Sequence, residues 1–228
     1  MNKIVITGAN GTIGSVLRKG FKNKYQITGI DLPEVDIRDY NELLKVFHEK
    51  DVIIHLAWNA KYENFRSERI DTDNIKMADN VYRCASEKRV KRVVMASSIH
   101  ADYFYEWNKE KDGLLSPEKL IGPDSPYGAS KIFIESLGRY HANSNRLEVI
   151  CLRFGGVNQE DEIDKTEEGF DKVWLSHNDC VSLVERCIES SNVENNFQVI
   201  YGVSNNSSRI HNNSNKLGWI PKDNSEYK

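Results

Sequence analysis

Tyr127 and Lys131 are residues whose types and spacing can do chemistry. In Tyr127-Gly128-Ala129-Ser130-Lys131 they stand four apart, so a helix carries both on one face. A phenol has an ordinary pKa of about 10, and a neighbouring ammonium that stabilises the phenolate lowers it toward neutrality. Upstream, Ser97 and Ser98 follow Val93–Ala96, an apolar run that reads as a strand. A hydroxyl at such a strand end can polarise a substrate oxygen beside the phenol. Of the two serines, Ser98 is the favoured catalytic hydroxyl and Ser97 the structural one. Ser98, Tyr127 and Lys131 together could take a proton from an alcohol or return one to a carbonyl. Alone, a tyrosine and lysine at this spacing are often just a helix face, so the elements before them matter.

Those elements begin with Gly8-Ala9-Asn10-Gly11-Thr12-Ile13-Gly14, between a strand-like run, Lys3–Thr7, and an amphipathic stretch, Thr12–Phe21. Glycines there let the main chain turn tightly and approach a pyrophosphate, whose charge suits the helix N-terminus. Asp31 ends the next strand, Tyr25–Ile30, where a carboxylate can accept from both hydroxyls of an adenosine ribose. It would repel a 2′-phosphate, and Leu32 and Pro33 rather than Arg or Lys follow it. The cofactor implied is NAD rather than NADP, and Lys131 can also hold its nicotinamide ribose.

Further strands are expected at Asp51–Leu56, Val149–Leu152 and Gln198–Tyr201, and helices at Tyr40–His48, Asp73–Glu87, Ala129–Ala142 and Asp179–Ser190. Alternation of short apolar and longer amphipathic stretches predicts an α/β fold, a Rossmann-type doubly wound parallel sheet. Residues 1–228 read as a single domain with a small C-terminal substrate lobe, the substrate region being built mainly from 99–126 and 154–228. Two polar stretches, His100–Pro126 and Asn158–Lys172, break the rhythm and are either lids over a site or ordinary surface insertions. In the first, Tyr103, Tyr105 and Trp107 are aromatic candidates for stacking on a ligand. The tail from Asn205 reads mostly as loop, with Trp219 as its anchor.

The Gly-x-x-Gly-x-x-Gly spacing resembles that of the extended short-chain dehydrogenase/reductases, the NAD-dependent epimerase/dehydratase superfamily. Asp36-Ile37-Arg38-Asp39 is similar to that family's acidic segment, in which Asp36 would meet the adenine amino group. His55-Leu56-Ala57-Trp58 resembles the segment that lies along the cofactor, with His55 structural. Asn74 resembles the asparagine that supports the active-site backbone and lysine; its alternative is a solvent-facing helix position. The cofactor site so implied comprises Gly8, Asn10, Gly11, Thr12, Ile13, Gly14, Asp31, Leu32, Asp36, Ile37, Leu56, Ala57, Trp58, Asn74, Tyr127 and Lys131. The substrate site implied comprises Ser98, Ile99, His100, Tyr127 and Gly156.

Leu152-Arg153-Phe154-Gly155-Gly156, Val173-Trp174-Leu175-Ser176-His177-Asn178-Asp179, Tyr201-Gly202-Val203-Ser204-Asn205-Asn206 and Leu217-Gly218-Trp219-Ile220-Pro221-Lys222-Asp223 narrow the resemblance to uronate dehydrogenase-like sugar dehydrogenases. The resemblance implies oxidation of an anomeric hydroxyl to a lactone: Tyr127 removes the proton, hydride passes to NAD, and no metal is required. It also implies pairing of helices in a homodimer, for which Phe133, Leu137 and Tyr140 are candidates. This sequence departs from the pattern in three places. The segment before Trp174 reads Glu167-Glu168-Gly169-Phe170-Asp171-Lys172, without the arginine that binds the substrate carboxylate. Gly156 and Ala60 stand where the group has serines. These departures count against uronate, unless Lys61, Arg66 or Lys172 takes over the clamp.

Composition narrows the partners. A net charge of -3 gives no electrostatic reason to expect nucleic acid or an anionic membrane as a partner. No apolar run reaches the roughly 20 residues of a membrane span, and the N-terminus enters a strand at once, so a cytoplasmic protein is expected. The four cysteines lie far apart, without metal-ligand spacing. The expected activity is NAD-dependent oxidation of a sugar or sugar acid. An NAD-retaining sugar epimerase or dehydratase, and a non-catalytic NAD sensor, are the alternatives.

Overall fold

Parallel strands fed by crossover helices account for every long apolar run in the chain. The computed structural model describes residues 1–59, 68–102, 114–117, 122–145, 147–191 and 193–228. Among these, β1 (Lys3–Thr7), β2 (Gln26–Ile30), β3 (Val52–His55), β4 (Arg92–Ser98), β5 (Glu148–Phe154) and β6 (Phe197–Gly202) form one sheet in the order β2-β1-β3-β4-β5-β6. All neighbours are parallel. Central strands such as Val-Ile-Ile-His are buried along their whole length, as a sheet covered on both faces requires.

The helices divide between the two faces. On one, α1 (Thr12–Gly20) and α6 (His177–Glu189) bury Leu17, Leu183, Val184 and Cys187 against Ile4, Ile6, Ile54 and Ile150. On the other, α2 (Tyr40–Val46), α3 (Thr72–Glu87) and α4 (Pro126–Asn145) bury Leu43, Val81, Ala85 and Ile134 against Val5, Ile53, Val93, Met95 and Cys151. The chain leaves β1 toward one face and β2 toward the other, while β3 lies on the far side of β1. The resulting change of direction makes the carboxyl ends of β1 and β3 the switch point of the sheet, where doubly wound sheets bind ligands.

Element ends differ from the sequence reading where polar residues hide inside structure. β4 begins at Arg92, which is fully buried because its guanidinium pairs with Glu148 Oε2 at 2.5 Å and donates to the carbonyls of Cys187, Ile188 and Ser190. The helix expected over Ala129–Ala142 starts at Pro126, so Tyr127 sits in its first turn. Within the polar stretch 158–172, Phe170–Val173 forms a single helical turn, α5, launched by Gly169 at φ +79° and seated by the buried Phe170 ring.

The tail is mostly loop but is firmly tied. Asp179 accepts from Ser204 Oγ (2.7 Å) and from the amides of Lys222 (2.8 Å) and Asp223 (3.0 Å). Trp219 is buried and its indole N–H donates to Ser182 Oγ at 3.0 Å. The four cysteines are buried free thiols. Among the described residues no helix is long and apolar enough to cross a membrane, and no three His, Cys, Asp or Glu residues cluster as metal ligands.

Candidate active site

Two strand ends and one helix start build the candidate catalytic corner. Ser98 closes β4 in register with Phe154 of β5, and the chain then makes a 3-10 turn over Ile99–Ala101. Tyr127, in the first turn of α4, is hydrogen-bonded to Ser98. Lys131, one turn further on, is buried; its ammonium donates to the Ala96 carbonyl at 2.9 Å and lies 3.4 Å from the centre of the Trp58 ring. Trp58 in turn packs edge-on against Tyr127, the ring centres 6.0 Å apart. Ser97 faces elsewhere, its hydroxyl donating to Glu135 Oε1 at 2.5 Å.

The electrostatics differ from the expectation that Lys131 pulls the Tyr127 pKa down. Burial raises the phenol above its usual value, opposed by the Ser98 hydrogen bond and assisted by the charge of Asp124. Burial also pushes Lys131 down to about 7, against the charge of Glu135. The reason is geometric: the ammonium is spent on Ala96 and the Trp58 face, and stands 5.4 Å from the Tyr127 ring centre. The corner therefore holds a neutral phenol beside an amine that gains or loses a proton near neutrality.

The glycine turn supplies the other half. Gly8 has φ +69°, and a Cβ there would lie 2.6 Å from the Ala57 amide nitrogen, so the β1 and β3 loops meet through its missing side chain. Gly14 is equally confined, 2.3 Å from the Gly8 carbonyl oxygen. At Gly11, by contrast, a Cβ would meet only that oxygen, at 3.4 Å, which leaves the space over the start of α1 open. The helix has no side-chain cap there, so its first-turn amides suit an anionic group. Asp31 is held at the tip of β2 by the amides of Asn10 (2.9 Å) and Leu32 (3.0 Å). A carboxylate has about four lone-pair sites, so it retains acceptor capacity for ribose hydroxyls. This open cradle and its anchored acid fit NAD.

The remaining expected residues sort by what they touch. Asn74 is buried rather than solvent-facing, and its Oδ1 accepts from the Asn59 amide at 2.7 Å; it acts on the loop after Trp58, while Lys131 finds its carbonyl at Ala96. His55 is buried, with Nδ1 2.7 Å from Thr7 Oγ1, in keeping with a structural role. Asp36 is engaged by Arg38, whose Nη2 reaches it at 2.7 Å and holds its carboxyl below the usual range. Any contact with adenine would share that carboxylate. Ile37 lies in the core, its carbonyl accepting from Asn80. Ile99 packs with Val173, Tyr201 and Val203, so only its main chain faces the site. Gly156 is bonded to Val173 and Leu175, and a Cβ on it would strike the Phe170 ring at 2.4 Å. A serine does not fit there because the phenyl ring occupies the space. His100 stands edge-on to Tyr127. Ala60, Lys61, Arg66, Tyr103, Tyr105 and Trp107 lie outside the described residues.

Sequence reasoning missed a buried charge network beneath the corner. Arg153, in register with Ser97 on β4 and Tyr201 on β6, forks onto Glu135 at 2.9 and 2.8 Å and reaches Asp102 at 3.0 Å. Tyr201 donates its hydroxyl to Asp102. Glu135 follows Lys131 by one turn of α4, Ser97 adjoins Ser98, and Asp102 ends the turn bearing His100. The network thus ties together all three segments around the candidate catalytic side chains. Its one sequence signal is an arginine inside the apolar strand Val-Ile-Cys-Leu-Arg-Phe, a residue buried only when paired.

A sheet switch point, an open glycine turn and an acid anchored at the tip of β2 define a Rossmann-type dinucleotide-binding protein. Residues 4–159 match the model of the NAD dependent epimerase/dehydratase family, and the chain belongs to that family. It is 29% identical to an L-arabinose 1-dehydrogenase (NAD(P)(+)) of Haloferax volcanii, over 99% of this chain and 98% of that one. It is 30% identical to a uronate dehydrogenase of Pseudomonas syringae pv. tomato, over 99% of this chain and 83% of the relative. A variant uronate dehydrogenase of Agrobacterium tumefaciens, solved with NAD, superposes with a TM-score of 0.80 at 26% identity, covering all of this chain and 87% of that one.

Proposed function

We propose that this protein is an NAD-dependent dehydrogenase that oxidises the C1 hydroxyl of a sugar or sugar acid to a lactone. The observation that carries the reading is the Ser98–Tyr127 hydrogen bond, formed at the strand edge onto which the glycine turn also opens. Ser98 would orient the sugar hydroxyl and Tyr127 would take its proton, with Lys131 one helical turn away. The chemistry NAD supplies when bound is acceptance of the C1 hydride. Loss of one proton and one hydride converts the hemiacetal carbon to the lactone carbonyl. Relatives named as arabinose and uronate dehydrogenases support a sugar as the substrate class.

In this reading the substrate region draws on 99–126 and 154–228 around a shared sheet. Phe133 and Tyr140, 51% and 60% exposed on α4, would pair with a second copy in a homodimer, while Leu137 packs into the core. The test is reduction of NAD, followed optically, against aldoses, uronic acids and sugar phosphates, with Tyr127→Phe as the blank. Turnover by one class, absent in the variant, supports the reading. Tightly held NAD with no net reduction by any sugar overturns it in favour of an epimerase.

A further inference from the structure

Trp58 stands where the chain leaves β3, and its backbone is fixed on both sides. The Ala57 amide donates to Thr7 Oγ1 at 3.3 Å, and the Asn59 amide to Asn74 Oδ1 at 2.7 Å. The partly buried indole packs against the core on the sheet face that bears α2, α3 and α4, and edge-on to Tyr127. So held, it turns its ring face to Lys131, whose ammonium lies 3.4 Å from the ring centre. Lys131 itself is buried, with the Ala96 carbonyl accepting from it at 2.9 Å.

A buried ammonium gives up its proton unless its surroundings stabilise the charge. Glu135, one turn further along α4, is engaged elsewhere: Arg153 forks onto it at 2.9 and 2.8 Å, and Ser97 donates to it. An indole face attracts a cation through the ring quadrupole, and does so more strongly in a desolvated site. Unlike a carboxylate, it brings no opposite charge that would lock the lysine in an ion pair. The titratable groups facing Lys131 are Tyr127 and Glu135 from α4, His55 from β3 and Cys151 from β5. Burial pushes the lysine down to about 7 against the charges of Glu135 and Cys151, and the indole acts in the same sense as those two.

We propose that Trp58 is a positioning residue that keeps Lys131 an ammonium, so that the lysine acts as a donor and not as a second base beside Tyr127. A neutral amine carries a lone pair and competes for a substrate proton, whereas an ammonium has three donors and no acceptor. The catalytic half rests on the dehydrogenase reading above. The hold on Lys131 is a property of the chain alone.

The hold is read from NMR of the full chain labelled with ¹³C-lysine, the Lys131 signals being assigned by their loss in Lys131→Met. In the wild type the Lys131 ε-methylene protons are expected upfield of those of the other lysines, because the end of the side chain lies over an aromatic face. Titration of the same signals is expected to place the midpoint of Trp58→Leu about one pH unit below the wild type, the scale of a desolvated cation–π contact. Trp58→Phe, which keeps a smaller ring face, should fall between the two. Unshifted protons in the wild type, a measurement that needs no Trp58 variant to fold, overturn the proposal. So do equal midpoints in wild type and Trp58→Leu, the result of a purely structural Trp58, which would move Tm alone. Kinetically, kcat for a sugar that reduces NAD should fall as pH rises through the Lys131 midpoint, and that limb should move down by the same about one pH unit in Trp58→Leu. A limb that stays in place overturns the catalytic half and leaves the dehydrogenase reading intact. Failure of every sugar to reduce NAD removes that reading and the catalytic half with it, while the titration still decides the hold on Lys131.

Discussion

At the glycine turn, recognition is built from main chain within a few consecutive residues. At the proposed substrate end, it would be built from side chains that meet across long stretches of sequence. Gly8, Gly11 and Gly14 work by lacking side chains, and the acid at the tip of β2, Asp31, is held by the adjacent loop amides. His100 and its partner Asp124, with Gly156 and Phe170, come from four separate segments, steadied by a buried network of Arg153, Glu135 and Asp102. A cofactor common to many enzymes can be read by a local motif. The substrate end has no such motif and depends on the fold to assemble it.

The comparison can be broken most forcefully where the two ends meet. Replacing Tyr127 by Phe removes the proton acceptor but no cofactor contact of the turn. Turnover should fall about 10³-fold, the scale of a lost general base, while NAD affinity measured by calorimetry is retained. A variant that loses both would mean the ends are not separable. Next comes Arg153→Met, which leaves Glu135 and Asp102 buried without their partner. Urea unfolding should register a loss of about 3–5 kcal/mol, a cost no exposed pair such as Lys3–Glu49 would carry.

Gly8→Ala places a Cβ against the Ala57 amide at positive φ, and the expected cost is about 2 kcal/mol of stability, with weakened NAD binding. Asp31→Asn is milder. NAD should bind about 10-fold more weakly, the scale of a hydrogen bond to a charged group, and discrimination against NADP should shrink. Equal loss for both cofactors would contradict the role assigned to Asp31.

A pH-dependent effect falls on acid stability at the cofactor end. Burial, assisted by the charge of Lys131, pushes His55 down to about 3, whereas in the unfolded chain a histidine titrates near about 6.5. Between those values the unfolded state holds more protons, so stability rises with pH. The contribution is complete above about pH 6.5 and is lost as pH falls toward about 3, at about 1.4 kcal/mol per pH unit. His55→Asn should flatten that part of the profile in urea midpoints measured at about pH 7 and about pH 5. An unaltered slope would show that His55 titrates normally.

Legibility followed the same division. The strand–turn–helix at Lys3–Gly20, the acid after β2, the serine pair ending β4 and the Tyr–Lys face of α4 were all readable, because each is a contiguous pattern with a period or a spacing. The parallel order of the sheet followed from the alternation of elements. Long-range polar pairs were not readable. Nothing local marks Glu135 as the partner of Arg153, or Asp124 as the partner of His100, and hydrophobic periodicity is blind to charged residues that bury only once paired. The expected lowering of the Tyr127 pKa failed for a related reason: helical spacing places Lys131 near the phenol, but only the fold reveals that Ala96 and Trp58 claim its ammonium.

The central claim is removal of hydride from C1 of a sugar, and it is tested most directly with a C1-deuterated neutral aldose and NAD. The account predicts that the deuterium appears on the reduced nicotinamide, one atom per lactone formed, by mass spectrometry, and that Tyr127→Phe gives neither product. Deuterium retained by or returned to the sugar, with no reduced cofactor released, would contradict it.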